Sequence, residues 1–224
     1  METLTFGRVT ITTPDLNEPG LYLSNVSTLN SPRGMVQDFA YVDADLRSLE
    51  IADTQLITGR INGVRSQRTQ FDALNLHGVE ITGSDLGAGR WSASKLTRVA
   101  LRDCKLMGVE LDGLTLDDVL VENCKLDYAT FAGVRATGPV AFVNCVLTEA
   151  TFADCDLTDV VFSECTLRLT EFGAGRYRDT DLRSSDLSTI RGLTNLKRVR
   201  INPGQQAELA EALMAELDIS VGDD

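Results

Sequence analysis

From Tyr41 onward an apolar residue returns at every fifth position: Leu46, Ile51, Leu56, Ile61, Phe71, Leu76, Ile81, Leu86, Trp91, Leu96, Leu101, Leu106, Leu111, Leu116, Val121, Leu126 and Phe131. Ser66 is the one polar residue in that series. Near Gly138-Pro139 the register slips by one residue, then resumes through Phe142, Leu147, Phe152, Leu157, Phe162, Leu167, Phe172, Tyr177, Leu182 and Leu187. The residue two places before each is mostly small and never charged, as at Ala44, Val64, Ser84, Val109, Ala129 and Val160. Flanking positions are mostly polar or charged. The unit is therefore large-inward, small-inward and polar-outward, which fits neither the helical period of about 3.6 nor the strict alternation of a long strand.

Units such as Ala44-Asp45-Leu46, Ala129-Thr130-Phe131, Ala150-Thr151-Phe152 and Cys155-Asp156-Leu157 fit the motif A-(D/N)-(L/F)-x-x. In these units the chain resembles the pentapeptide-repeat family over residues 39–189. The resemblance implies an all-β fold: a right-handed quadrilateral parallel β-helix, one pentapeptide per side and four per coil, with the slip near 138–139 as a one-residue bulge. Residues twenty apart should then stack. One such column reads Ile51, Phe71, Trp91, Leu111, Phe131, Phe152, Phe172, a concentration of rings in a chain that is only 6% aromatic. Ring-on-ring ladders inside the coils account for it. At the strand spacing of roughly 4.8 Å, seven or so coils make a rod about 35 Å long.

A stacked rod exposes strand edges at both ends, which repeat proteins blunt with atypical terminal units. Residues 1–38 read as an N-terminal capping segment, with Leu4 to Thr12 as a capping strand. Residues 190–224 read as a C-terminal cap. There Asn202 is an N-cap, Pro203 the first helical residue, and a helix over about 203–217 carries Leu209, Leu213, Met214 and Leu217 on one stripe. Ile219-Ser220-Val221 could form one edge strand. In the family a helix and strand of this kind often carry dimerisation, so the stripe is either a homodimer contact or a simple cap.

The net charge of −12 and a pI near 4.5 argue against direct nucleic-acid binding, which needs Lys and Arg in excess. Residues 1–20 lack the basic and apolar regions of a secretion signal, and no apolar run is long enough for a membrane span, so a cytoplasmic protein with no membrane contact is expected. Cys104, Cys124, Cys145, Cys155 and Cys165 all take the small inward position; the first two and Cys145 and Cys165 should form one buried thiol column, with Cys155 on the opposite face. No C-x-x-C spacing occurs and His77 is the only histidine, so no metal or cofactor is expected. The strings Gly87-Ala88-Gly89-Arg90 and Gly173-Ala174-Gly175-Arg176 keep the five-residue register and read as repeat units, not phosphate loops. A filled coil offers no concavity for catalysis, so the chain reads as non-enzymatic.

Charge is banded along the chain. Residues 106–124 carry Glu110, Asp112, Asp117, Asp118 and Glu122, and residues 136–167 carry Glu149, Asp154, Asp156, Asp159 and Glu164, in both cases without Lys or Arg. Glu149, Asp154, Asp159 and Glu164 should girdle one coil. Residues 60–102 instead hold seven basic groups against three acidic, and 168–200 eight against four. Glu149, Asp154, Asp156, Asp159, Glu164, Asp117 and Asp118 are the candidate partner-binding residues. Banding of this kind suits a scaffold for an unidentified protein partner. The family resemblance implies an alternative: an acidic rod that mimics B-form DNA and modulates a type II topoisomerase, DNA gyrase or topoisomerase IV.

Overall fold

The computed structural model describes residues 2–220 and 222. Within each five-residue unit the large central side chain and the small one two places before it point inward. Two places after the centre the backbone turns left-handed, at Asp43 (φ 51°), Asp53 (φ 48°), Gly63 (φ 64°), Ala73 (φ 51°), Asp103 (φ 54°), Gly113 (φ 66°) and onward to Asp179 (φ 59°). This region is sterically poor for most L-residues and best tolerated by Gly, Asn and Asp. Asp, Asn and Gly accordingly fill many of these corners, with Ala73, Ala88, Arg98 and Glu149 among the exceptions, a signal that the apolar periodicity alone does not expose.

Four corners return the chain to the same side. Parallel pairing then joins residues twenty apart, as in Leu56 with Leu76, Leu76 with Leu96, and Leu96 with Leu116. Leu116 still pairs with Ala136, but Val119 pairs with Val140, so the extra residue enters at 137–139. Gly138 lies there against the Asp117 carboxylate, which a Cβ at this position would displace. The result is a right-handed parallel β-solenoid of about seven turns with one C-terminal helix.

Inside, the expected aromatic column forms. Phe131, Phe152 and Phe172 stack at centroid distances of 4.4 and 5.3 Å, and Phe71 lies 4.8 Å from Trp91 at a tilt. A second stack, Phe142 on Phe162 at 5.0 Å, comes from the opposite wall and meets the first edge-to-face at 6.0, 5.9 and 6.2 Å. Stacked within a wall and T-shaped across the core, the rings use both favourable quadrupole geometries.

The ends are closed differently. At the N-terminal end Ser24–Asn25 adds to Phe39–Ala40. Leu29 is fully buried against the core there, and the Phe39 ring fills the space left by Gly59 in the next coil, where any Cβ would collide with it. At the C-terminal end a short 3-10 turn, Pro203–Gln205, leads into α1 (Gln206–Glu216). Polar side chains of this segment bond several groups on the last coil's edge. Glu208 accepts from the Leu187 N–H (3.0 Å), Glu216 from the Leu193 N–H (2.9 Å), and Gln205 donates to the Leu182 and Ser185 carbonyls (2.8 and 2.6 Å). These bonds occupy edge groups that another chain would otherwise pair with. Ile219 and Ser220 form no strand, and Val221 of the expected edge strand lies outside the described residues.

The segment Leu4 to Thr12, expected to cap an end, does something else. It forms an antiparallel hairpin, β1 (Glu2–Phe6) and β2 (Val9–Thr13), laid along the flank of the solenoid on the strands Lys95–Arg102, Thr115–Glu122 and Val140–Val143. The cause is a local break in the polar-outward rule. The outward column Ala100, Leu120, Ala141 and Val161 is apolar, and Ile11, Leu4, Phe6 and Val9 cover most of it.

Replacing Phe152, which stacks on rings above and below, by Ala should cost about 3–5 kcal/mol, the usual range for a buried aromatic truncated to a cavity. Urea unfolding monitored by circular dichroism measures it, and the native spectrum should survive at zero denaturant.

Candidate interaction surface

Viewed side by side, the rod's surfaces differ in charge. The hairpin-bearing side carries an alternating ladder. Arg60 meets Glu80 at 3.1 Å, Arg102 meets Glu80 and Glu122 at 2.9 Å each, and Glu2 of the hairpin approaches Arg102 at 3.9 Å. Next to the hairpin turn, Asp181 is buried against Arg183 (2.5 Å); burial opposes ionisation, but the guanidinium holds the carboxyl below its ordinary range. Charge on this side is internally matched.

The opposite wall is the seven-stranded sheet built from Leu49–Ala52, Thr69–Asp72, Arg90–Ser92, Glu110–Asp112, Thr130–Ala132, Thr151–Ala153 and Glu171–Phe172. Its outward side chains are small or acidic: Ala52, Ser92, Ala132 and Ala153 alternate with Glu50, Asp72, Glu110, Asp112 and Glu171. Within these seven strands Arg90 is the one outward base, held by Asp112 at 3.3 Å and Glu110 at 4.0 Å, and the exposed Arg191 continues the same column beyond Glu171. This wall is uncovered among the described residues and net acidic, its strand carboxylates lying on the coils up to Asp112 and at Glu171, with the intervening Thr130–Ala132 and Thr151–Ala153 strands uncharged. Asp53 and Asp154 add carboxylates at the corner that borders it. The basic groups of residues 60–102 are spread over several sides, so the basic band read along the chain puts Arg90 on this wall and Arg68 at its edge.

The seven candidate carboxylates do not form one patch. Glu149, Asp154, Asp159 and Glu164 sit on four successive corners of one coil, all left-handed (φ 54 to 61°), so they do girdle the rod. All four are exposed. Backbone geometry alone favours Asp at such corners, which supplies a structural reason for part of the acidity. Asp156 bonds Thr158 Oγ1 at 2.7 Å and pairs with Arg176 at 3.3 Å. Asp118 accepts the Thr12 N–H at 3.1 Å, so its carboxylate holds the hairpin, while Asp117 faces Gly138 at the bulge. Sequence reasoning missed Glu50, Asp72 and Glu171, because they share a wall only once the coil brings residues twenty apart together.

The helix stripe is split. Leu209 packs against the core beside buried Ala212, and Met214 is half-buried, whereas Leu213 and Leu217 are 39% and 54% exposed. The polar contacts of Glu208 and Glu216 set this rotation of the helix.

The thiol column forms as expected. Cys104, Cys124, Cys145 and Cys165 are buried one above the other, and Lys125, Val146 and Thr166 donate their N–H groups to the Cys104, Cys124 and Cys145 carbonyls. Each sulfur also donates to backbone carbonyls, for example Cys145 to Val121 at 3.3 Å. Hydrogen bonding to the Cys124 thiol, then burial, pushes Cys104 up, whereas Cys155, outside the column, is pushed up to about 11 by burial.

Against known proteins, the family model "Pentapeptide repeats" matches residues 141–172 as eight copies. The chain is a pentapeptide-repeat protein. Among solved structures, this pentapeptide-repeat chain is similar to a trypsin-treated form of QnrB1, a plasmid-mediated fluoroquinolone resistance protein, at 18% identity over 84% of this chain and 98% of that one, with a TM-score of 0.43. Full-length QnrB1 aligns at 15% identity over 80% and 98%, with a TM-score of 0.42. HetL, a pentapeptide-repeat protein involved in heterocyst differentiation regulation from the cyanobacterium Nostoc sp. strain PCC 7120, aligns at 16% identity over 78% and 90%, with a TM-score of 0.30. No curated protein sequence matches the chain.

Replacing Leu120 by Asp should release the hairpin from the flank. Losing about 2 kcal/mol of apolar contact raises amide exchange in Val9–Thr13 by roughly thirtyfold, while the solenoid strands keep their protection. Hydrogen-exchange mass spectrometry resolves the two.

Proposed function

We propose that this pentapeptide-repeat protein is a non-catalytic interaction rod that receives a basic protein surface on its seven-stranded wall. The observation that supports this is the charge difference between walls. One side matches its charges internally and lies under the hairpin; the opposite side is small-residued and net acidic. Such a surface gains affinity and association rate from a complementary basic partner, and it repels nucleic acid directly.

A type II topoisomerase, whose DNA-binding surface must be basic, is the partner to test first. Two neutralised variants separate the wall from the corners. One changes Asp72, Glu110, Asp112 and Glu171 to Asn or Gln; the other changes Asp154, Asp156, Asp159 and Glu164 likewise. In gyrase supercoiling and quinolone-induced cleavage assays, inhibition or protection by the wild-type chain should weaken at least tenfold in the wall variant, about 1.4 kcal/mol, and less in the corner variant. No effect of the wild-type chain rejects the topoisomerase as partner and leaves the scaffold reading; equal loss in both variants rejects the wall as the docking surface.

The exposed Leu213 and Leu217 of α1, with Ile219 at 52% exposure, form the patch on which a second copy would pair. Sedimentation velocity should then show a dimer for the wild-type chain and a monomer for the Leu213→Glu, Leu217→Glu double variant. A wild-type monomer makes α1 solely a cap.

A further inference from the structure

The buried thiol column is used by neither the interaction surface nor the caps. Its four sulfurs belong to consecutive coils, so they repeat at the strand spacing of about 4.8 Å, close to twice a metal–thiolate bond of about 2.3 Å. Their coils are hydrogen-bonded in direct register, with Lys125, Val146 and Thr166 donating to the Cys104, Cys124 and Cys145 carbonyls, so each thiol lies over the next. No three described Asp, Glu, His or Cys groups converge on one point, which rules out a tetrahedral site among them. Linear two-coordination needs only two sulfurs on a line, and each side chain approaches the column axis from the side.

We propose that Cys104, Cys124, Cys145 and Cys165 form a ladder that binds thiophilic monovalent cations, Cu(I) or Ag(I), one between each successive pair of sulfurs. Soft thiolates select such ions. The reaction is ligand exchange without redox change: each sulfur loses its proton to solvent and forms one or two metal–sulfur bonds. Filled, the ladder holds four thiolates and three cations, with four protons released and a single net negative charge. One ion between two thiolates leaves the same net charge, so the desolvation cost is met once and later ions add cooperatively.

The surroundings fit this use. Ser84 and Ser185 occupy the same column at its two ends, and both hydroxyls are hydrogen-bonded to backbone carbonyls, which bounds the ladder at four sulfurs. Directly outside it runs the corner row Asp103, Asn123, Asn144 and Glu164, each one residue before a cysteine. Asn123 donates to Asp103 at 3.2 Å and Asn144 to Asn123 at 2.8 Å, leaving oxygen-rich groups over both ends of the thiol column. Those carboxylates concentrate cations where the ladder begins and ends.

The test is an anaerobic titration of the reduced full-length protein with Ag(I), and with Cu(I) against a chromophoric chelator. Thiolate-to-metal absorption, proton release and far-ultraviolet circular dichroism are followed together. Three ions per folded chain, four protons released, an unchanged fold and a raised melting temperature are expected. Cys124→Ser should drop uptake from three ions to one, at the Cys145 and Cys165 pair, while Cys155→Ser keeps all three. Uptake only on unfolding, or an equal loss in Cys155→Ser and Cys124→Ser, overturns the ladder. Should Cys124→Ser not fold, Cys104→Ser, at the column's end, replaces it with an expected drop from three ions to two; no drop overturns the proposal.

Discussion

A left-handed residue at most corners of the pentapeptide coil is the constraint on which the rest of this structure depends. A short strand can run only as far as the next corner, where the left-handed conformation costs least for Gly, Asn or Asp, though Ala, Glu and others also occupy it here. Corner after corner therefore closes the chain on itself, and closure puts residues twenty apart in hydrogen-bonded register. That register converts a weak linear repeat into columns: rings on rings, thiols on thiols, arginines between glutamates. The same rule seeds carboxylates around the rod, so acidity is in part a by-product of how the coil turns.

Columns explain both order and departure from it. The ring column is stabilised by stacking, with Phe152 between Phe131 and Phe172, while rings from the opposite wall approach by their edges. A change of residue type in one column also changes what covers it. Where outward positions become Ala100, Leu120, Ala141 and Val161, the flank attracts the N-terminal hairpin. Where the wall carries small and acidic residues, nothing among the described residues covers it.

The two ends show a further economy of the fold. The N-terminal coil is plugged by bulk, with Phe39 occupying the room that Gly59 leaves. The C-terminal coil is closed by polar side chains of the helical cap, which satisfy edge N–H and C=O groups with carboxylate and amide oxygens and nitrogens. Because Glu208, Gln205 and Glu216 are committed to the coil, Leu213 and Leu217 are turned outward.

The sequence by itself determined the coil: the five-residue period, the bulge near 138–139, the aromatic column and the inward thiols all follow from local repetition, which needs no knowledge of distant contacts. The girdle of Glu149, Asp154, Asp159 and Glu164 was legible for the same reason. Only the tertiary structure decided which side is acidic, because Glu50, Asp72, Glu110, Asp112 and Glu171 become neighbours through stacking and lie far apart in a linear scan. It alone decided that Leu4 to Thr12 covers a flank and that Asp118 serves the hairpin, since a short amphipathic strand carries no mark of which apolar surface it will meet. And it alone set the rotation of α1, where hydrogen bonds to an open coil edge outweighed the burial of two leucines.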